Sequence, residues 1–246
     1  MEHFLDTKET IPPGYGFTHF DTEHLIWLAA FVILLAVNIV LYRKLDESGR
    51  EKWRKTVAAL IVADEVYKMV CLFIGGNFLA EYLPFHLCSI NIFLIAIHAW
   101  RPNRLLDNFL YLVCLPGAVL PMLFCTWAML PTANFMYWHS FTVHILLVMY
   151  PLVLTAAGDI RPQPRQFPKC LLLLACMAVP VGLFNMAFGT NFMFLSYAEA
   201  GTPLVWFEEH WGNHLWGFPV MLPAVLVVMA IPARLLEKRR AKTGIT

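Results

Sequence analysis

Long apolar runs alternate with short polar connections along almost the whole chain. Seven runs, 25–42, 56–75, 83–100, 105–125, 137–157, 170–188 and 215–235, approach the ~20 mostly apolar residues needed to cross a bilayer. Little sequence is left for anything else. The pattern predicts an all-α polytopic membrane protein with seven transmembrane helices, residues 1–246 forming a single integral membrane domain. The first stretch, 1–21, is polar and holds Pro12 and Pro13. It lacks the basic start and apolar run of a cleaved signal, so the first span is expected to remain as a helix.

The polar connections carry a second pattern. Basic residues crowd the first loop (Arg43, Lys44, Arg50, Lys52, Arg54, Lys55), the third (Arg101, Arg104), the fifth (Arg161, Arg165, Lys169) and the tail (Arg234, Lys238, Arg239, Arg240, Lys242). The second, fourth and sixth loops have none, and the sixth carries Glu199, Glu208 and Glu209. Cytoplasmic loops hold the excess of Lys and Arg. The alternation predicts an external N-terminus, a cytoplasmic C-terminus and a multi-pass protein of the plasma (inner) membrane.

Composition agrees: 59% of residues are hydrophobic and 14% charged, where a soluble domain carries ~25% charged. The net charge of +1 gives no reason to expect nucleic acid as a partner; the partners expected are membrane lipids. Cys71, Cys88, Cys114, Cys125, Cys170 and Cys176 all fall in or beside apolar runs without a CxxC, which argues against a disulfide framework or zinc knuckle. Tryptophans 206, 211 and 216 late in the sixth loop place that loop at headgroup level, where it is expected to roof a site.

Ionisable groups inside spans are functional candidates, because burying them in lipid is costly. If the third helix starts at Leu83, Cys88 lies ~8 Å inside it, and His144 lies ~10 Å inside a fifth helix starting at Tyr137. His24, His86 and His139 are shallower on the same side, and Asn185 and Asn191 close the sixth span there. A thiol beside an imidazole makes a nucleophile for acyl groups; the alternative for Cys88 is a small packing residue. Asp64, Glu65 and Lys68 form a second cluster, readable as self-paired charges at i,i+3 and i,i+4 or as a headgroup or proton site. His98, Asp107 and Asn108 fall at the opposite ends and are expected to be interfacial.

Four stretches, 20–28, 83–89, 139–144 and 189–195, together resemble the YwaF family of bacterial integral membrane proteins. The combination of His86-Leu87-Cys88 with Gly189-Thr190-Asn191-Phe192-Met193 carries the likeness. That family is similar to the eukaryotic transmembrane protein 164, a phospholipid acyltransferase with a cysteine and a histidine at its active site. The resemblance implies Cys88 as nucleophile and His144 as base, with His139 a second candidate, and transfer of an acyl group between lipids through a thioester. His86, Asn91 and Asn191 would orient the site or hold the oxyanion; His24, His139 and Asn185 would help bind substrate. No cofactor is expected.

Two other readings stand beside it. Histidines 24, 86, 139 and 144 at one depth are enough ligands for a zinc-dependent lipid hydrolase, although no HxxxH or HExxH spacing is present. A transporter or membrane assembly factor would use the same polar groups without chemistry.

Overall fold

The structure, a computed structural model, describes residues 2–199 and 202–243. The basic tail residues Arg239, Arg240 and Lys242 fall outside the described side chains. Eight helices account for most of the chain: α1 (Thr22–Arg43), α2 (Glu47–Ile74), α3 (Leu87–Trp100), α4 (Arg104–Leu123), α5 (Phe135–Ala157), α6 (Phe167–Phe188), α7 (Leu204–Trp211) and α8 (Gly217–Thr243). No strand occurs among the described residues.

Five helical stretches are long and apolar enough to cross a membrane: Thr22–Arg43, Arg104–Leu123, Phe135–Ala157, Pro164–Phe188 and His214–Lys238. The other two expected spans differ for physical reasons. α2 has 28 residues but carries Asp64, Glu65 and Lys68 in its apolar half. α3 has only 14 residues. Its start is a correction to the sequence reading. Leu83 precedes Pro84, whose ring disfavours the helical conformation at that position, and Leu83 is extended with ψ 151°. The chain enters the helix only after His86, itself extended. Cys88 therefore sits in the first turn of α3 rather than a turn and a half inside it.

The helices divide into centre and periphery. Buried residues make up 72% of the apolar window of α5 and 61% of that of α4, but 6% for α1 and 11% each for α6 and α8. The outer helices expose Val32, Ile33, Leu172, Val179, Val227 and Val228, as helices facing lipid do. α4 is irregular: its turns widen to a π-helix at Leu110–Cys114. Such bulges often mark functional sites, and Cys114 there donates to the Leu147 carbonyl oxygen of α5 at 3.6 Å.

One end of the bundle is covered by two pieces of chain. The sixth loop does so, as expected, and the polar N-terminal segment does so unexpectedly. Phe4 and Leu5 pack on Cys71, Leu72 and Phe135. Asn134 donates to the carbonyl oxygens of His3 and Asp6, both at 2.8 Å, and Phe17 N–H donates to Ala128 at 2.8 Å. Gly16 makes that last approach possible: its φ is +95°, and a Cβ there would lie 2.0 Å from the Ala128 oxygen. Lys8 pairs with Glu199 at 3.6 Å, joining the two covers.

Candidate functional site

Under this cover, α2, α3 and α5 bring buried polar groups together. Cys88 is half-buried in the first turn of α3. His86, the residue before the helix, offers no side-chain cap. The first intrahelical bond runs from Ile90 N–H to His86. The N–H groups of Leu87, Cys88 and Ser89 are thus left with no acceptor in the helix, and they supply its positive end beside the thiol.

His86 is held from the sixth loop. Met193 N–H approaches its Nδ1 at 3.4 Å, and the rings of Phe192 and Phe194 lie 5.1 and 5.8 Å from it. That loop is a strained piece of backbone, with φ of +57° at Met193 and +56° at Phe194. Its shape is fixed by Asn185 and Asn191. Asn185 donates to the Phe192 carbonyl oxygen and accepts from Thr190 Oγ1 and Phe192 N–H. Asn191 donates to the Tyr197 carbonyl oxygen and accepts from the N–H groups of Ser196 and Tyr197. Both spend their polar atoms on their own loop and shape the clamp on His86.

His24 is likewise engaged by backbone. Its Nδ1 accepts Phe20 N–H at 2.9 Å, so Nε2 carries the proton and donates to the Met122 carbonyl oxygen at 2.7 Å. The ring is fully buried with both nitrogens used. It ties α1 to the end of α4 and has no nitrogen left for a ligand.

His144 is different. Its Nδ1 donates to the Ser140 carbonyl oxygen at 2.6 Å, which leaves the lone pair on Nε2. Trp127 stacks on the ring, centroids 5.1 Å apart and planes 19° from parallel. No hydrogen bond joins His144 to Cys88. α2, which packs on both α3 and α5, carries a buried charged set. Lys68 Nζ donates to Glu65 Oε1 at 2.6 Å, with both side chains 7% exposed. The surplus acid, Asp64, turns to α5, where its Oδ2 lies 2.9 Å from His139 Nδ1. His139 Nε2 is 3.8 Å from Glu65 Oε2. The cluster is thus self-paired within α2 at Glu65 and Lys68, while the other acid, Asp64, faces a histidine of α5.

Several atoms here are short of partners. Asp64 Oδ2, Glu65 Oε2, His139 Nδ1 and Asn91 Oδ1 are buried with no well-aligned hydrogen bond. Asn91, one turn beyond Cys88, is only 1% exposed. Buried acceptors without donors are costly. Among the described residues no group of three or more His, Cys, Asp or Glu side chains is arranged to hold a metal ion. His24, committed to backbone, is lost to the zinc reading as one of its four histidines.

Trp127, Ser140 and the N-terminal cover were not identified in the sequence. Trp127 sits in a loop with no span to place it, and Ser140 acts through a backbone carbonyl, which no side-chain pattern reveals. At the opposite end, His98 is a satisfied buried histidine, 2.8 Å from Tyr150 Oη and 2.7 Å from Asp107 Oδ1.

Comparison with the curated proteins and with the solved structures gives no match. A family model does match, that of the TMEM164 family, over residues 19–230. The matched range holds Cys88, His144, the α2 charges and the loop that clamps His86, while most of the N-terminal cover precedes it. The chain belongs to the TMEM164 family.

Proposed function

We propose that this multi-pass membrane protein transfers acyl groups between lipids, with Cys88 as nucleophile and His144 as general base. The observation that carries the reading is the placement of Cys88 at an uncapped helix N-terminus, in a bundle end that also holds a histidine, His144, with a lone pair free on Nε2. Reactive thiols favour helix N-termini, where the dipole favours thiolate. The resemblance of the motif set to the YwaF branch supports the same assignment.

The steps follow from these groups. Cys88 Sγ attacks the carbonyl carbon of an acyl-lipid ester, and its proton passes to His144 Nε2. The oxyanion is met by backbone N–H groups of the first turn of α3 and by His86, whose Nδ1 contact with Met193 favours a proton on Nε2. Collapse expels the lipid alcohol, which takes the proton back from His144 and leaves a thioester on Cys88. An acceptor hydroxyl then attacks the thioester and gives its proton to His144, which passes it to the departing Cys88 sulfur and restores the thiol. Asn91, His139 and Asp64 would bind the polar part of the substrate, whose donors would satisfy the orphaned acceptors. His144 and Cys88 need not touch in the empty site, because catalytic contacts often tighten only around substrate.

The same reading takes α2 and α3 as spans six and seven beside the five apolar ones, in one membrane domain, with the Cys88 end external and the basic loops cytoplasmic. A reporter fused after Thr246 is then cytoplasmic and one inserted at Gly201, outside the described residues, is external; the reverse pattern contradicts the orientation. The chemistry is tested by reconstituting the purified protein with an isotope-labelled phospholipid and following the label into a second lipid. The reading expects transfer by the wild type and none by Cys88→Ala. Equal transfer by both would remove Cys88 from the mechanism.

A further inference from the structure

The end of the bundle opposite Cys88 carries a polar cavity. Its volume is about 320 Å³, and its lining includes Arg54 of α2, His98 of α3, Asp107 and Arg104 of α4, and Asp159 just after α5. The lining mixes signs, so the question is which charges are already matched.

The two acids are. Asp159 Oδ1 accepts from Arg50 at 2.6 Å, and its Oδ2 accepts from Tyr42 Oη. Asp107 accepts from His98 at 2.7 Å. The two arginines of the lining are not matched in this way. Arg54 reaches Asp159 only at 3.9 Å, beyond hydrogen-bond range, although its side chain is just 18% exposed. Its Nε is buried with no partner at all. Arg104 is exposed and forms no ion pair among the described residues. A buried guanidinium donor without an acceptor is costly, and an anion relieves that cost.

We infer that this cavity binds a phosphate group, held between the guanidinium groups of Arg54 and Arg104. Phosphate fits the donor set better than a carboxylate does. Two planar forks present many N–H groups at separate angles, and a tetrahedral oxyanion can accept from both at once. The cavity lies among the basic loops, lined by Arg54 and Arg104. Two sources share this chemistry: the headgroup of an anionic phospholipid, and a soluble phosphate. The inference stands apart from the role of Cys88, because no residue is shared with that site.

The test uses the full chain in maltoside micelles, which contain no phosphate. Native mass spectrometry and thermal unfolding follow the addition of phosphatidylglycerol, of its phosphate-free analogue diacylglycerol, and of inorganic phosphate at matched ionic strength. Retention and a raised Tm with phosphatidylglycerol alone identify a lipid headgroup; the same rise with inorganic phosphate identifies a soluble source. Arg104→Gln, at an exposed position, should weaken binding ~10-fold, the loss of ~1.4 kcal/mol. Arg54→Gln should weaken it at least as much. Lys55→Gln removes an equal charge outside the cavity lining and should leave affinity within about twofold, as screened surface charges do. The inference is overturned if diacylglycerol matches phosphatidylglycerol while inorganic phosphate has no effect. It is equally overturned if Arg104→Gln binds like the wild type, or if Lys55→Gln is as damaging as Arg104→Gln.

Discussion

His144 donates its Nδ1 proton to the carbonyl oxygen of Ser140, one helical turn before it, at 2.6 Å. The acceptor is backbone, so the helix itself fixes the tautomer and holds the Nε2 lone pair free. This gives an unusual pair of expectations. Ser140→Ala should leave acyl transfer within about twofold, because the carbonyl remains. His144→Ala should lower it by ~10²–10⁴, the range for loss of a general base. Kinetics on both variants, with unfolding curves to establish that they fold, make the check. A Ser140→Ala loss as deep as that of His144→Ala would contradict the tautomer argument.

The Glu65–Lys68 pair predicts a non-additive result. Both side chains are buried, so Lys68→Met strands the Glu65 carboxylate and should cost ~3–5 kcal/mol of stability, as breaking a buried pair does. The double change Glu65→Gln with Lys68→Met should recover most of that loss, since neither charge then needs a partner. Denaturation of the single and double variants in detergent separates the outcomes, and additive losses would mean that the two charges do not depend on each other.

Gly16 should be intolerant of a side chain. Its φ of +95° and the 2.0 Å approach of the Ala128 oxygen leave no room for a Cβ. Gly16→Ala should release the N-terminal cover and expose the backbone before α1 to protease, while Gly14→Ala, with nothing within 4 Å of its Cβ, should perturb it less. Limited proteolysis of the two variants compares them directly.

Asp21 caps α1, and the N–H groups of His24 and Thr18 hold its carboxyl below the ordinary value of 3.8. A carboxylate depressed in the folded state contributes stability that is fully present above the unfolded value and is lost as pH falls through the folded one. The cap's contribution should therefore be constant at neutral pH and fade only below 3.8. Tm measured against pH for the wild type and Asp21→Asn should converge in acid; curves that converge instead near neutrality would place the effect elsewhere.

Much of the fold was legible because lipid imposes a simple rule: apolar runs of sufficient length become helices. The runs at 105–125 and 137–157 fall within two residues of α4 and α5 as observed. The start of α3 was misplaced because hydropathy continues through Leu83, Pro84 and Phe85, whereas the backbone obeys the proline. Site assignments divided by a different rule. Histidines and asparagines at one depth look alike in sequence, but His24, Asn185 and Asn191 spend their polar atoms on nearby backbone, and His144 keeps one nitrogen free. The pairing of Asp64 with His139 joins two helices 75 residues apart, and helix-face spacing carries no information on such a contact.

The central claim is a thioester on Cys88. Incubation with a labelled phospholipid, rapid quench and peptide mass spectrometry should find one fatty-acyl group on the peptide holding Cys88, removed by neutral hydroxylamine. It should be absent from Cys88→Ala and strongly reduced in His144→Ala. Undiminished lipid acyl transfer by Cys88→Ala, or a hydroxylamine-labile acyl group found on another cysteine in its place, would contradict the account.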